Sequence, residues 1–536
     1  MPGAVRSSVS CVLSADRATK TPSNDLLPPS STSDRMPATV AITAKSPFPG
    51  AVSQGPSDNG MHMPRDGTAL PPYNTTYYFN QLIDHNDPSK GTFVQRYWHT
   101  WEFYEEGGAI VLFTPGEVNA DGYYGYLTNS TINGQIAQQQ SAAAVVVEHR
   151  FYGDSNPYNN LSVESLQLHT IQQAIDDLVY FAYNVDLPMP GGDSVKPGEA
   201  PWILVGGSYS GALTSWTMVN KPGVFKPGMR RPRDYWGYFD PIRQYMPTNC
   251  SADVEAVIAY IDTTFNGSDT QAIDNIKELF NMTELTHLDD FAGALRNNLW
   301  DWQSLQPDEG PDQQFFQFCD ALEVKDGVNA GPEGWGLEHA LNAWGTYWAT
   351  TYYALICGDT DAVTCLGSYD PTQSYYTSIA VDDSGRSWEW IVCNEVGFFQ
   401  DGAPADWPTI VTRLVQPSSD ERQCTYYFPE QFPNGPVAPN VTATNTAYDG
   451  WFANVTNLFF ANGQRDPWRE ATKSADGTNF QSTSWQPIAE GNGYHCSDLL
   501  TANAGVDETV AAVQAQGLAS MKEWLAGWEP SSSSRK

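Results

Sequence analysis

Three residue types that together perform acyl transfer occur in a telling order along the chain: a serine at 208, an aspartate at 466 and a histidine at 495. A neutral hydroxyl is a poor nucleophile, so a histidine must take its proton, and a carboxylate should fix the tautomer of that histidine and stabilise its cation. Ser208 lies in Gly206-Gly207-Ser208-Tyr209-Ser210-Gly211, small residues that allow a tight strand-to-helix turn. The usual pattern of such a nucleophile turn asks for glycine at 210, where this chain has Ser210. Of the eight histidines, at 62, 85, 99, 149, 169, 287, 339 and 495, only His495 lies downstream of both the serine turn and the mainly helical stretch that follows it (226–445). Asp466 sits one loop earlier, between Arg465 and Pro467, and Asp498 competes with it for the same role. A developing oxyanion needs aimed donors. The Tyr209 backbone N–H is the first; the second comes from TPGEVNADG (114–122), through a backbone N–H or a side chain such as Asn119.

The elements that must position these groups can be read from apolar patterning. GAIVLFTPG (108–116) and AAAVVVEHRFYG (142–153) are short continuous apolar runs ending in turn residues, as suits strands of a parallel sheet buried on both faces. Ile171, Ala174, Ile175, Leu178, Val179 and Ala182 recur at spacings of three and four, which predicts a helix over 169–184. PWILVGGSYSGALTSWTMV then supplies a strand at 202–205, the glycine turn and another helix, completing an α/β series. Residues 457–463 and 485–491 read as the last two strands, and Val510, Val513, Leu518, Met521, Trp524 and Leu525 as a closing helix. The chain order Ser, Asp, His is that of an α/β-hydrolase core.

The expected organisation is a leader, propeptide or disordered tail over 1–72, a first part of the core over 73–225, a mainly helical cap inserted over 226–445, the rest of the core over 446–528 and a tail over 529–536. The first 72 residues are rich in Ser, Pro and Thr without apolar periodicity. MPGAVRSSVSCVLSADRATK lacks the apolar stretch of about 7 to 15 residues that a signal peptide requires. No run of about 18 apolar residues suggests a membrane span.

With 28 Lys+Arg against 62 Asp+Glu the net charge is −34, which repels nucleic acid and anionic membranes, so neither is expected as a partner. Eight cysteines lie singly, without C-x-x-C pairs or zinc spacing, so no metal is expected. Fully paired they allow 105 connectivities, among which Cys357 and Cys365 are near neighbours in sequence. Sequons at Asn74, Asn129, Asn160, Asn249, Asn266, Asn281, Asn440 and Asn454 add to the cysteines as signs of a secretory environment. A vacuolar or lysosomal-type acidic compartment is the alternative.

YYFNQLIDHNDPSKGTFVQRYW (77–98), VEHRFYGDS (147–155), LVGGSYSGAL (204–213), NGQRDPW (462–468) and GYHCSD (493–498) resemble the prolyl serine peptidase family of Pro-X carboxypeptidase and dipeptidyl peptidase II. The GGSYSG and GYHCSD forms are most similar to its fungal acid prolyl endopeptidases. The resemblance implies an α/β-hydrolase core with a helical cap, cleavage after proline in peptide substrates, activity in acid and no cofactor. It places Ser208, Asp466 and His495 in the triad and gives Trp468 to an apolar pocket for the proline ring. Glu117 and Glu395 are further candidates for contacts with the peptide. An esterase of the same fold, or an impaired homologue, are the other readings. One stretch departs from the family: KPGVFKPGMRRPRDYWGYF (221–239) is basic and proline-rich where an apolar strand should stand beside the nucleophile strand.

Overall fold

The computed structural model describes residues 69–221 and 235–530. The apolar runs form strands where the sequence predicts them: β3 (Ile110–Phe113), β4 (Ala143–Val147) and β5 (Trp202–Val205), preceded by β1 (Thr76–Leu82) and β2 (Thr92–Thr100). Together they make one sheet in the order β1-β2-β4-β3-β5. β3 pairs parallel with both β4 and β5, with Leu112 opposite Val145 and Leu204, whereas β1 and β2 add an antiparallel edge.

Alternation along these strands feeds two apolar layers. Ile110, Leu112, Val145 and Leu204 pack on one side with the helices Ile171–Asn184 and Ser208–Asn220. Val111, Phe113, Val146 and Val205 pack on the other with the helix Ile132–Gln139 and the closing helix Glu508–Ala526. Thr170 starts the helix Ile171–Asn184 by accepting the Gln173 N–H.

Between residues 239 and 447 the chain is mostly helical, with only a two-residue-stranded hairpin, β6 (Val324–Lys325) and β7 (Val328–Asn329). Three disulfides tie this region: Cys250–Cys319, Cys357–Cys365 and Cys393–Cys424. Buried Cys496 is outside them, and Cys11 lies outside the described residues.

The two late strands form, as β8 (Phe460–Gly463) and β9 (Ile488–Gly491). They do not extend the main sheet as expected, but make a separate parallel pair. Among the described residues no strand stands between β5 and β8. A cavity of about 430 Å³ lies there instead, lined by β5, Met218, Leu458 to Phe460, Met521 and Trp524. The atypical 221–239 stretch falls at this point in the chain, and its residues 222–234 lie outside the described ones.

Candidate active site

Gly207 ends β5's extension and begins the helix, and Ser208, its first residue, has φ +53°. A non-glycine residue held in this left-handed region is strained. Ser210 explains its own departure from the expected glycine. Its hydroxyl donates to the Gly207 carbonyl at 2.8 Å and accepts the Gly207 N–H at 3.1 Å, closing the turn. Room for its Cβ comes from across the cleft, where Gly116 (φ +85°) passes so close that a Cβ added there would stand 3.1 Å from Ser210 Cβ. The loop after β3 therefore lies directly over the Tyr209–Ser210 backbone, the position an oxyanion donor must occupy.

Asp466 and His495 follow β8 and β9, and the parallel pairing of those strands carries both loops out at the same end. Gln464 N–H and Arg465 N–H donate to the carbonyls of Gly491 and Gly493, which locks the two loops together. The ring N–H at His495 Nδ1 faces both Asp466 oxygens, at 2.9 and 3.0 Å. Asp466, rather than the competing Asp498, is thus the partner of the histidine, and it also accepts the Trp468 N–H at 2.8 Å. Burial opposes the His495 cation, but the Asp466 carboxylate and the adjoining Cys496 outweigh it and hold the imidazole well above its usual range. His495 Nε2 meets no hydrogen-bond partner among the described residues, so the Ser208 hydroxyl is not bonded to it here. Catalytic hydrogen bonds often tighten only when substrate binds.

Trp468 stands in an aromatic wall. It stacks on Tyr235 with ring centres 5.1 Å apart and 15° between planes, meets Tyr238 and Phe398 edge-on, and lies 6.5 Å from the His495 ring. On the opposite side Trp388 meets Tyr209 edge-on at 5.3 Å. Trp388, Phe398 and Trp468 line a cavity of about 50 Å³, whose further wall carries Arg296, Glu389, Asp420 and Tyr427. The far larger cavity beside β5 has none of Ser208, Asp466 and His495 in its lining.

The remaining expected residues fare differently. Glu117 is buried, one residue beyond Gly116. The Asn119 side chain is turned away to other work: its amide donates to Asp382, and its oxygen accepts from Arg96 and the Asp121 N–H. Glu395 accepts the Ile171 N–H at 3.0 Å and so serves a helix start; desolvation pushes its carboxyl up to about 7. None of the eight sequon asparagines is buried, and Asn74, Asn129, Asn266, Asn281, Asn440 and Asn454 are exposed. Sequence reasoning missed Tyr235, Tyr238, Trp388 and Phe398. Their only signal was membership of aromatic-rich stretches, which also describes ordinary core residues.

This fold, a strained serine at a strand-to-helix turn and a buried carboxylate–histidine pair are the parts of a serine peptidase. The family model described as serine carboxypeptidase S28 matches residues 81–516, and the chain belongs to that family. It is 34% identical over 474 residues to "Serine protease vicPa" of Bipolaris victoriae, covering 83% of this chain and 88% of that one. It is 29% identical to "Probable extracellular serine carboxypeptidase" of Arthroderma benhamiae over 73% of this chain and 57% of the relative. Human "Lysosomal Pro-X carboxypeptidase" is 24% identical over 87% and 92%. No helix of the described residues is long and apolar enough to cross a membrane.

Proposed function

We propose that this serine peptidase hydrolyses peptide bonds on the carboxyl side of proline, using Ser208 as nucleophile, His495 as base and Asp466 to orient the base. The observation that carries the reading is the placement of the Trp468 wall 6.5 Å from a histidine gripped by both oxygens of Asp466. Proline offers a compact ring without an N–H, which flat aromatic faces enclose without leaving a donor unsatisfied.

In this reading Ser208 Oγ attacks the proline carbonyl carbon while its proton passes to His495 Nε2. The oxyanion is held by the Tyr209 N–H and a backbone N–H of the loop that Gly116 brings over the turn. Collapse breaks the C–N bond, with His495 returning the proton to the leaving amine, and water releases the acyl group by the reverse sequence.

The core is of α/β-hydrolase type with the cap over 226–445, and the enzyme works outside the cell or in an acidic compartment, glycosylated at its exposed sequons. Three disulfides and exposed asparagines support the secretory reading. A second reading, an impaired homologue, draws on the basic, proline-rich stretch 221–239, where the family has an apolar strand, and on Ser210. A blocked peptide with one internal proline, incubated at pH 5 and analysed by mass, tests the first reading. Cutting after proline that is abolished in folded Ser208→Ala supports it. A Ser208→Ala protein that keeps its activity would exclude the mechanism. An active-site serine probe that leaves folded wild-type protein unlabelled would favour the impaired homologue.

A further inference from the structure

We infer that the segment Asp301–Gln306, inserted far from the triad in sequence, is the brace that positions both halves of the site: Gln306 sets the His495 loop and Gln303 sets the Trp468 wall. The inference rests on the triad and proline-pocket reading above.

The contacts reach three successive points of the site. Trp302 Nε1–H donates to the Arg465 carbonyl at 2.7 Å, the residue before Asp466, and its ring meets Tyr494 edge-on, the residue before His495. Gln303 Oε1 accepts the Trp468 indole N–H at 2.8 Å and the Tyr238 hydroxyl at 2.9 Å. Gln306 Nε2–H donates to the His495 carbonyl at 3.1 Å, while its oxygen accepts from Asn503 at 2.8 Å. Asn503 in turn donates to the Ser497 carbonyl at 2.8 Å, so the His495–Ser497 turn is held from two sides. The brace is itself anchored, since Asp301 accepts the Tyr352 hydroxyl at 2.7 Å.

Gln303 and Gln306 are both buried. A buried amide that loses one partner leaves the other unsatisfied, so each bond is worth more to geometry than an exposed one. Their chemistry differs. Gln303 uses only its oxygen, whereas Gln306 uses donor and acceptor at once. Indole and phenol edges bonded to one oxygen fix the angle between Trp468 and Tyr238, and hence the slot for a ring. A carbonyl bond at His495 fixes where Nε2 points. These are positioning residues, acting through Trp468 and His495.

The two roles predict separable defects, which a merely structural contribution does not. Wild type, Gln303→Leu, Gln303→Glu, Gln306→Leu and Gln306→Glu are compared at pH 6.5 in folded protein, checked by thermal melting. Labelling rate with a small organophosphonate serine probe reads the chemistry, and KM for proline against alanine peptides reads the pocket. Gln306→Leu and Gln306→Glu, which lacks the donor once ionised, should slow labelling about 10- to 100-fold while retaining proline preference. Gln303→Leu should raise KM for proline peptides about tenfold with labelling unchanged, and Gln303→Glu, which keeps the acceptor, should restore it. Proportional loss of both readouts in all four variants, or loss of neither, overturns the brace. Failure of folded wild type to label at all overturns the triad reading, and the brace with it.

Discussion

The sheet-bearing region and the helical region between residues 239 and 447 treat several of their buried acids in opposite ways. In the first, cations answer them: Arg96 grips Glu148 with two bonds of 2.6 and 2.9 Å, and Arg150 grips Asp177 with two of 2.5 and 2.6 Å. Lys90 bonding holds Asp84 down at about 2, and Arg150 keeps Asp177 below its usual range despite burial. In the second, desolvation dominates: Glu323 is pushed up to about 7, with the Asp253 carboxylate adding to the effect, and Glu389 to about 8. Asp253 already accepts the N–H groups of Trp335 and Gly336, so Glu323 is the member of that pair that keeps the proton.

The difference gives the acids of the two regions opposite pH dependences. Depressed acids contribute stability above their unfolded values near 4 that is lost as pH falls through the folded values, about 2 for Asp84. Raised acids are at their most favourable below about 4.5 and become destabilising as pH rises toward 7 or 8. The acids of both regions are satisfied between about pH 4 and 5, but the sheet region's buried His99 and His149, held down to about 4 by burial, lose stability as pH falls from their unfolded values near 6.5.

The largest effect is expected where a carboxylate answers a titrating cation at the site. Asp466→Asn should lower kcat by roughly 10⁴-fold, the size seen when the same change is made in a serine protease triad, measured with the proline peptide. Next, Arg150→Met leaves Asp177 buried without its main partner and should lower unfolding stability by about 3–5 kcal/mol in urea titrations. Adding Asp177→Asn should recover part of that loss; full additivity would break the claim that this region is held by paired charge. In the other region Glu323→Gln should do the reverse, raising stability by up to about 3 kcal/mol at pH 8 and leaving it unchanged at pH 4. Equal effects at both pH values would refute an uncompensated acid. Finally, kcat/KM should climb with unit slope as pH rises toward the elevated His495 value, because only the free base accepts the serine proton. A profile flat from pH 3 to 7 would contradict it.

What could be read from the sequence was what is local. Strands β3, β4 and β5 announce themselves as unbroken apolar runs, and the helix Ile171–Asn184 by its spacing. Ser208, Asp466 and His495 could be picked out because turn chemistry and chain order constrain them. The brace could not, since Gln303 and Gln306 find partners 165 and 189 residues away and nothing in WDWQSLQ distinguishes them from polar surface residues. Asn119 misled for a related reason: its neighbourhood in sequence is right, but Asp382, 263 residues on, takes its amide. The protonation of Glu323 is invisible too, because it depends on the burial of a pair from two helices.

The absence, among the described residues, of a strand joining β5 to β8 has a mechanical consequence. Ser208 follows one hydrogen-bonded ladder and the Asp466–His495 pair another, so among the described residues no shared strand ladder joins Ser208 to His495. Among the described residues their registry depends on side-chain packing, which yields more softly than a sheet, and this joint should open before β3 and β4 do. Amide deuteration of β5 and β8 well ahead of β3 and β4 would be the signature of that compliance.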